Sequence, residues 1–487
     1  MPGNGMAAKR WGHPAASLLV LVVSVALAGC AVGPDYKRVD PEAPKSWQTE
    51  MAGGLTAESP DPISLAGWWK TLNDEGLSSL MERAANGNLD LQEARARVRE
   101  ARALRGVSRA ELFPTLGANA AAAKGQTSKN VGVGRDTELY RAGFDAGWEI
   151  DIFGGVRRRL EASQAELEAE MEGMNDVLIS LMAEVALNYV EVRTFQARIA
   201  VAEANIKVQE ETYSLNRSGY EAGIIDELPV QQSLYNLEST RSLVPSLEEG
   251  LQAAENRLAV LIGEHPGSLS RELAVSGPVP VPPLSVAVGV PADTLRQRPD
   301  IRQAERFLAA QTARVGAATA ELYPSFNVSG TFGVESISTG NLFEWASRTW
   351  SFGPSALLTL FRGGAIRQNI EVEDARLEQA LIQYRSIVLG ALEEVENSLI
   401  AYAKEQRRRD LLKSAVSAAQ LAFELARDRY LAGLVDFNNV LDAQRAMQVF
   451  EDNLAQSEGA VTSNLVRLYK ALGGGWKYLD SVEKSEM

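Results

Sequence analysis

The sequence predicts a mainly α fold with a β component, built of long coiled-coil helices and four long amphipathic strands per chain. Three observations predict it. The chain repeats itself at a shift of 210 residues. Each copy carries an apolar stripe at heptad spacing, too long for a helix of an ordinary globular domain. Each copy also carries alternating apolar and polar residues over stretches longer than the five or six residues usual in soluble strands.

The repeat sets the organisation. The shift aligns Ala110-Glu111-Leu112-Phe113-Pro114 with Ala320-Glu321-Leu322-Tyr323-Pro324, and YEAGIID (220–226) with YLAGLVD (430–436). It also pairs Asp90 with Asp300, Glu184-Val185 with Glu394-Val395, and Leu258 and Gly263 with Leu468 and Gly473. The offset slips to 208 at Phe153 and Phe361, as hairpins of unequal length require. Residues 88–263 and 298–473 are read as two copies of one unit ordered helix, two strands, long helix, turn, helix. The segment 264–297 links them; seven prolines from Pro266 to Pro299 exclude a continuous helix there. So long a period indicates a duplicated half-domain, not a solenoid.

Residues 1–29 read as a secretory leader. Lys9 and Arg10 precede an apolar run from Ala15 to Leu27, about 20 Å as a helix, too short to span a bilayer comfortably. Leu27-Ala28-Gly29-Cys30 looks like a lipobox, which makes Cys30 the expected lipidation site and explains one odd cysteine in an exported chain. Ala31, rather than Asp, follows it, and the default is then sorting to the outer membrane. Loss of Lys9 and Arg10 takes the formal charge from −14 to −16. Past the leader there is no run of 18 apolar residues, so any further membrane crossing is expected from strands.

The long helix follows from Met171, Met174, Leu178, Leu181 and Val185, and then Val192, Phe195, Ile199, Ala202 and Ile206, spaced alternately by three and four. One helix over residues 155–216 would be about 93 Å long. The return segment keeps the stripe at Leu247, Leu251, Leu258 and Leu261, with a break expected at Pro245. In the second copy the stripe runs through Leu377, Leu381, Tyr384, Val388 and Val395, then crosses the polar run 404–410, read as a solvated face.

The strands follow from parity. From Tyr140 to Ile152, Tyr140, Ala142, Phe144, Ala146, Trp148, Ile150 and Ile152 alternate with glycine and charged residues. Phe326, Val328, Phe332 and Val334 repeat the pattern, as do Trp350, Phe352, Ala356, Leu358 and Leu360. Such strands suit a transmembrane barrel, but four cannot close one. Three chains would supply twelve.

Composition excludes much else. One cysteine permits no intrachain disulfide or cysteine-based zinc site, and of two histidines only His265 lies past the leader. It follows a helix end and reads as a loop residue, so no catalytic residue, metal site or cofactor is expected. The pI near 5.0 argues against a nucleic-acid partner.

The chain resembles the TolC-like outer membrane efflux proteins, especially the NodT-type lipoprotein channels of RND tripartite pumps. CAVGPDYKR (30–38), WWKTLNDEGLSSL (68–80), NLDLQEA (88–94), LRQRPDIRQAE (295–305) and YLAGLVDFNNVLDAQR (430–445) carry the resemblance. It implies a homotrimer with a 12-stranded outer-membrane β-barrel continuous with a periplasmic α-helical barrel. Residues 30–87 would be a lipid-anchored segment and the start of an equatorial belt, and 474–487 a C-terminal tail. The implied function is a passive exit duct for drugs, metal ions or other small molecules, fed by a periplasmic adaptor and an inner-membrane RND transporter. Two alternatives remain: a type I protein-secretion channel, and a coiled-coil envelope lipoprotein that does not conduct.

The turns after the long helices, with Tyr220, Gly223 and Asp226 in one copy and Tyr430, Gly433 and Asp436 in the other, are expected at a periplasmic tip contacting the adaptor or transporter. Asp442 and Arg445 stand where the first copy has Gln232 and Tyr235, giving only the second hairpin an acid and a base one turn apart. The resemblance places this pair at the tip constriction, with Asn438 where relatives have an apolar residue. A gate closed by charge or amide contacts is the expectation.

Overall fold

The computed structural model describes residues 31–40, 43–59, 61–131 and 134–476. The leader and Cys30 lie outside the described residues. Twelve main elements can be numbered along the chain: α1 (Glu75–Gly87), α2 (Leu89–Ala110), β1 (Thr115–Gln126), β2 (Asp136–Ile150), α3 (Gly155–Glu221), α4 (Glu227–Arg241), α5 (Leu243–Leu261), α6 (Pro299–Ala320), β3 (Ser325–Ser336), β4 (Arg348–Leu357), α7 (Ala365–Leu431) and α8 (Phe437–Ala471). The repeat is kept almost to the residue. Helices α2 and α6 both have 22 residues, α3 and α7 both have 67, and each pair starts 210 apart. The first copy breaks its return helix at Ser242, three residues before Pro245, because proline fits only the first turn of a helix. The second copy has no proline there and α8 is unbroken.

The chain forms two compact units. The first holds the described residues up to Val39, Arg99–Ala169 and Ala304–Tyr384. Its strands pair in sequence order, β1-β2-β3-β4, all antiparallel, leaving β1 and β4 as edges. Strand β2 ends at Ile150 rather than Ile152 because Asp151 turns to cap α3, accepting from the backbone N–H groups of Val156 and Arg157 at 3.1 and 2.8 Å. The segment 31–39 is strapped along this unit. The N–H of Val32 donates to the carbonyl of Phe153 at 3.0 Å, and the buried Arg158 donates to the Val32 carbonyl at 3.2 Å and the Asp35 carboxylate at 2.6 Å. A Cβ on Gly33, whose φ is +88°, would lie 2.4 Å from the backbone of Gly316, so only glycine admits this approach. Tyr36 donates to Glu305 at 3.2 Å; burial, with the Glu305 charge beside it, pushes the phenol up to about 12.

The second unit holds Asp40–Val98, Glu170–Gln303 and the described residues from Arg385 onward. Its core gathers Trp68, Trp69, Leu77, Leu80 and Met81 against Leu178, Met182 and Tyr189 of α3, Leu399 and Tyr402 of α7, and Leu465 and Leu468 of α8. The proline-rich linker joins this core rather than looping free. Val286–Ala287 pairs in parallel with Leu55–Thr56, and Leu269, Leu273 and Val288 are buried. The repeat is visible in single hydrogen bonds. Asn88 Nδ2 donates to the Leu261 carbonyl at 2.9 Å; 210 residues on, Arg298 Nη1 donates to the Ala471 carbonyl at 2.7 Å. Each ties the start of one helix to the end of the last helix of its copy, supplying a donor to an orphan carbonyl. Arg298 also pairs with Asp300 and Glu394, each at 2.7 Å. Burial opposes its charge, but these carboxylates outweigh burial and raise its pKa above the ordinary value.

Candidate functional site

The sheet of the first unit has two chemically distinct faces. Register places Phe144 beside Phe332 and Phe332 beside Trp350, with Trp148 beside Val328 and Ile150 beside Phe326 on the same parity. These rings face outward; Trp350 and Phe352 are 75% and 74% exposed. On the opposite parity Asn119 bonds Asp145, Arg141 pairs with Glu335 at 3.2 Å, and the Thr331 and Ser351 hydroxyls meet at 2.8 Å. A wide, exposed oily face backed by a hydrogen-bonded polar face suits lipid on one side and water on the other. Among the described residues no helix is long and apolar enough to cross a membrane.

The second unit carries both helix turns. Gly223 and Gly433 hold φ of +67° and +73°, and each lets the following N–H reach back five residues: Ile224 to the Gly219 carbonyl at 2.8 Å, Leu434 to the Arg429 carbonyl at 2.9 Å. That is the Schellman closure, and it explains a glycine at both positions. Asp226 and Asp436 occupy the N-caps of α4 and α8 in extended conformation, without a side-chain cap bond. Their exposed carboxylates are not consumed in holding the helices. The two tyrosines differ. Tyr430 donates to Asn216 Oδ1 at 3.0 Å and packs on Phe437 with ring centroids 5.4 Å apart, whereas Tyr220 is half exposed. Ile224 and Leu434 stand exposed at the two turns.

The three gate candidates all lie on α8, on its exposed side. Asn438 Oδ1 accepts from Gln232 Nε2 of α4 at 2.9 Å. Arg445 does not pair with Asp442. It donates to the Tyr235 hydroxyl and to Asn236 Oδ1, the latter at 3.3 Å, and its guanidinium lies 5.2 Å from the Tyr235 ring centroid. Asn236 in turn donates to Gln444 at 3.1 Å, and Thr240 to Gln448 at 3.2 Å. The α4–α8 seam is thus a ladder of amides and hydroxyls closed by one arginine. Asp442 is exposed and, among the described residues, has no partner in its own chain. By sequence Gln232 and Tyr235 are the first copy's counterparts of Asp442 and Arg445; the structure makes them the partners of Asn438 and Arg445. Only the pairing of α4 with α8, 210 residues apart in chain, reveals this.

Comparison with known proteins agrees with this architecture. The model of the outer membrane efflux protein family matches residues 80–264 and 290–474. Nodulation protein T of Rhizobium leguminosarum bv. trifolii is 31% identical over 93% of this chain and 96% of its own. The cation efflux system protein CusC of Escherichia coli K12 is 28% identical over 94% of this chain and 99% of its own. The solved structure of the outer-membrane channel OprN superposes with a TM-score of 0.86 at 35% identity, covering 92% of this chain and all of that one. The family match spans well over half the chain in two segments that follow the internal repeat. The chain belongs to the outer membrane efflux protein family.

Proposed function

We propose that this chain is the outer-membrane duct of a tripartite efflux system: three copies close a 12-stranded barrel over a periplasmic helical barrel, and substrate leaves passively through it. The observation that carries this reading is the sheet. It is oily and exposed on one face, hydrogen-bonded and polar on the other, and open at both edges. A four-stranded sheet cannot sit in lipid with two unpaired edges, because each bare N–H or C=O costs several kcal/mol there. Twelve strands from three chains remove every edge. The likeness to CusC, a cation efflux system protein, supports the efflux assignment. An inner-membrane RND transporter, linked through a periplasmic adaptor, supplies the energy that a duct does not. The cargo is of the small-molecule or metal-ion class. The tip turns around Gly223 and Gly433 are the ends that meet the adaptor or the transporter, and Asp442, Arg445 and Asn438 the gate. Residues 88–263 and 298–473 are the repeated units of this duct, and Cys30 is its lipid anchor.

Mass measurement in detergent tests the assembly: a trimer is expected, and a stable monomer with full strand content would sink the architecture. For the anchor, Cys30→Ala should abolish palmitate labelling while leaving a foldable channel. Equal labelling of the variant would reject lipidation at Cys30.

A further inference from the structure

In the second unit the two copies of the repeat agree on one face of their helices and differ on the other. Val185, Tyr189 and Val192 of α3 and their counterparts 210 residues on, Val395, Leu399 and Tyr402 of α7, all sit in the core. So do Leu258 of α5 and Leu468 of α8. The opposite face keeps no such likeness. Leu187, Glu191 and Phe195 of α3 answer to Asn397, Ala401 and Glu405, and Asp452 and Gly459 of α8 to Ser242 and Glu249. The shared core therefore does not account for what this face carries.

The unmatched residues border one groove of about 320 Å³ between α3 and α8, at the low end of the range for small-molecule sites. On α3 it takes positions 187, 191, 194 and 198, spaced by three and four, on the side opposite Val185, Tyr189 and Val192. On α8 it takes 456, 460, 463 and 467, away from Val461, Leu465 and Leu468. The groove thus opens on the side turned from the core. Its floor is set by close approaches. A Cβ on Gly459 would collide with the Thr194 hydroxyl, and one on Gly250 of α5 would strike the Phe195 ring. One end is closed by a completed network: Arg198 lies 5.9 Å from the Phe195 ring centroid and donates at 2.7 and 3.2 Å to Asp452, which also accepts from Gln456 at 2.6 Å. Towards the other end two opposite charges are left over. Glu191 is exposed and, among the described residues, has no partner. Arg467 is exposed too; it donates at 2.9 Å to the neutral Asn464 and, among the described residues, has no carboxylate partner. The helices run antiparallel, since Arg198 meets Asp452 and Asn205 meets Glu451. Counting 1.5 Å per residue from the crossing of Gly459 and Thr194 puts Arg467 about 8 Å further along the groove than Glu191.

We propose that this groove binds a small zwitterion with an apolar or aromatic body, its ammonium on Glu191, its carboxylate on Arg467 and its body over Leu187 and Phe195. A simple cation or anion would meet only one of the two charges, and a neutral apolar solute neither. A solute charged at both ends gains two charge-assisted contacts and covers the apolar floor between them. The inference rests on the duct reading for its location alone. Where a belt wraps the outside of a helical barrel, the side turned from the belt core is the lumen wall, so three such grooves would line the exit path. The groove itself is built by one chain.

The test uses the full chain purified in detergent and 4-(aminomethyl)benzoate, whose ammonium and carboxylate stand at opposite ends of one ring. Saturation-transfer NMR titration should show binding by the parent, weakened about fivefold by Glu191→Gln or by Arg467→Gln and further by both together. The N-acetyl methyl ester of the probe, which keeps the ring and loses both charges, should bind more weakly than the zwitterion. Glu191→Arg with Arg467→Glu should bind better than the doubly neutral variant, because the dipole can enter reversed. A parent that does not bind, single variants that bind like the parent, a neutral analogue that binds as tightly as the zwitterion, or a charge swap no better than the doubly neutral variant overturns the inference. In planar bilayers the zwitterion added from outside should interrupt current through the parent, and less so through the doubly neutral variant. Binding that leaves the current undisturbed overturns the placement in the lumen. A stable monomer by mass would remove the duct and leave the groove, so failure of one reading is told from failure of the other.

Discussion

Trp68→Ala is expected to destabilise the protein by about 3–5 kcal/mol, the usual cost of truncating a buried large aromatic. Trp68 is 1% exposed, stacked on Tyr469 at 5.3 Å between centroids with planes 19° apart, and set edge-on to Trp69 at 5.9 Å. The core cluster it belongs to draws on segments far apart in the chain, among them α1, α3, α7 and α8, which the sequence alone does not bring together. Few of them can collapse into the hole, because each belongs to a helix fixed elsewhere along its length. In the same unit Asp74 caps α1 by accepting from the Leu77 N–H at 2.9 Å and also accepts from the Tyr189 hydroxyl at 2.9 Å. Burial pushes that hydroxyl up to about 12, against the opposing pull of Arg193. Chemical denaturation of the purified protein in detergent reads the effect. Trp68→Phe should lose less, and Leu284→Ala, at a fully exposed position, should lose nothing measurable. A loss under about 1 kcal/mol in Trp68→Ala would mean that this core does not hold the unit together.

The parts of the fold legible in the sequence are those with a period. The stripe from Met171 to Ile206 announced a helix of uncommon length, and the structure extends it to Glu221, where Gly223 ends it. Alternation from Tyr140 announced β2, and Pro245 the break between α4 and α5. Strand β1 was countable only through symmetry, because its alanine-rich run from Ala118 to Ala123 looks alike on both faces. Its parity appears only when register sets Ala118 beside Phe144 and Asn119 beside Gly143. The linker 264–297 read as connection yet contributes Leu269, Leu273, Val286 and Val288 to a core, since isolated apolar residues among prolines carry no period. The homology of Asn88 and Arg298 was hidden for another reason. The two side chains share a task, donation to a helix-terminal carbonyl, without sharing a chemistry. For the candidate gate residues the structure supplies partners within the chain that the sequence does not show.

Those partners sharpen the expectation for the gate. Asp442→Ala with Arg445→Ala is expected to raise single-channel conductance in planar bilayers. In one chain Arg445 is engaged with Tyr235 and Asn236, and Asp442 is exposed and without a partner, so a trimer closed at the tip would offer each free Asp442 to a neighbouring chain. Charge-assisted bonds contribute about 1.5–3 kcal/mol each, and about 1.4 kcal/mol is tenfold in an equilibrium. Losing even one of them in the whole assembly would shift opening by about tenfold. Tyr235→Phe removes only the hydroxyl under Arg445 and should act in the same direction by less. Asn438 Oδ1 already accepts a hydrogen bond from Gln232 Nε2, so Asn438→Ala should loosen α4 from α8 rather than unplug an apolar seal. If the charge pair closes the duct, raising the salt concentration should open the parent channel and barely affect the double variant, because added salt weakens an exposed ion pair. Conductance unchanged in Asp442→Ala with Arg445→Ala would move the gate away from α8.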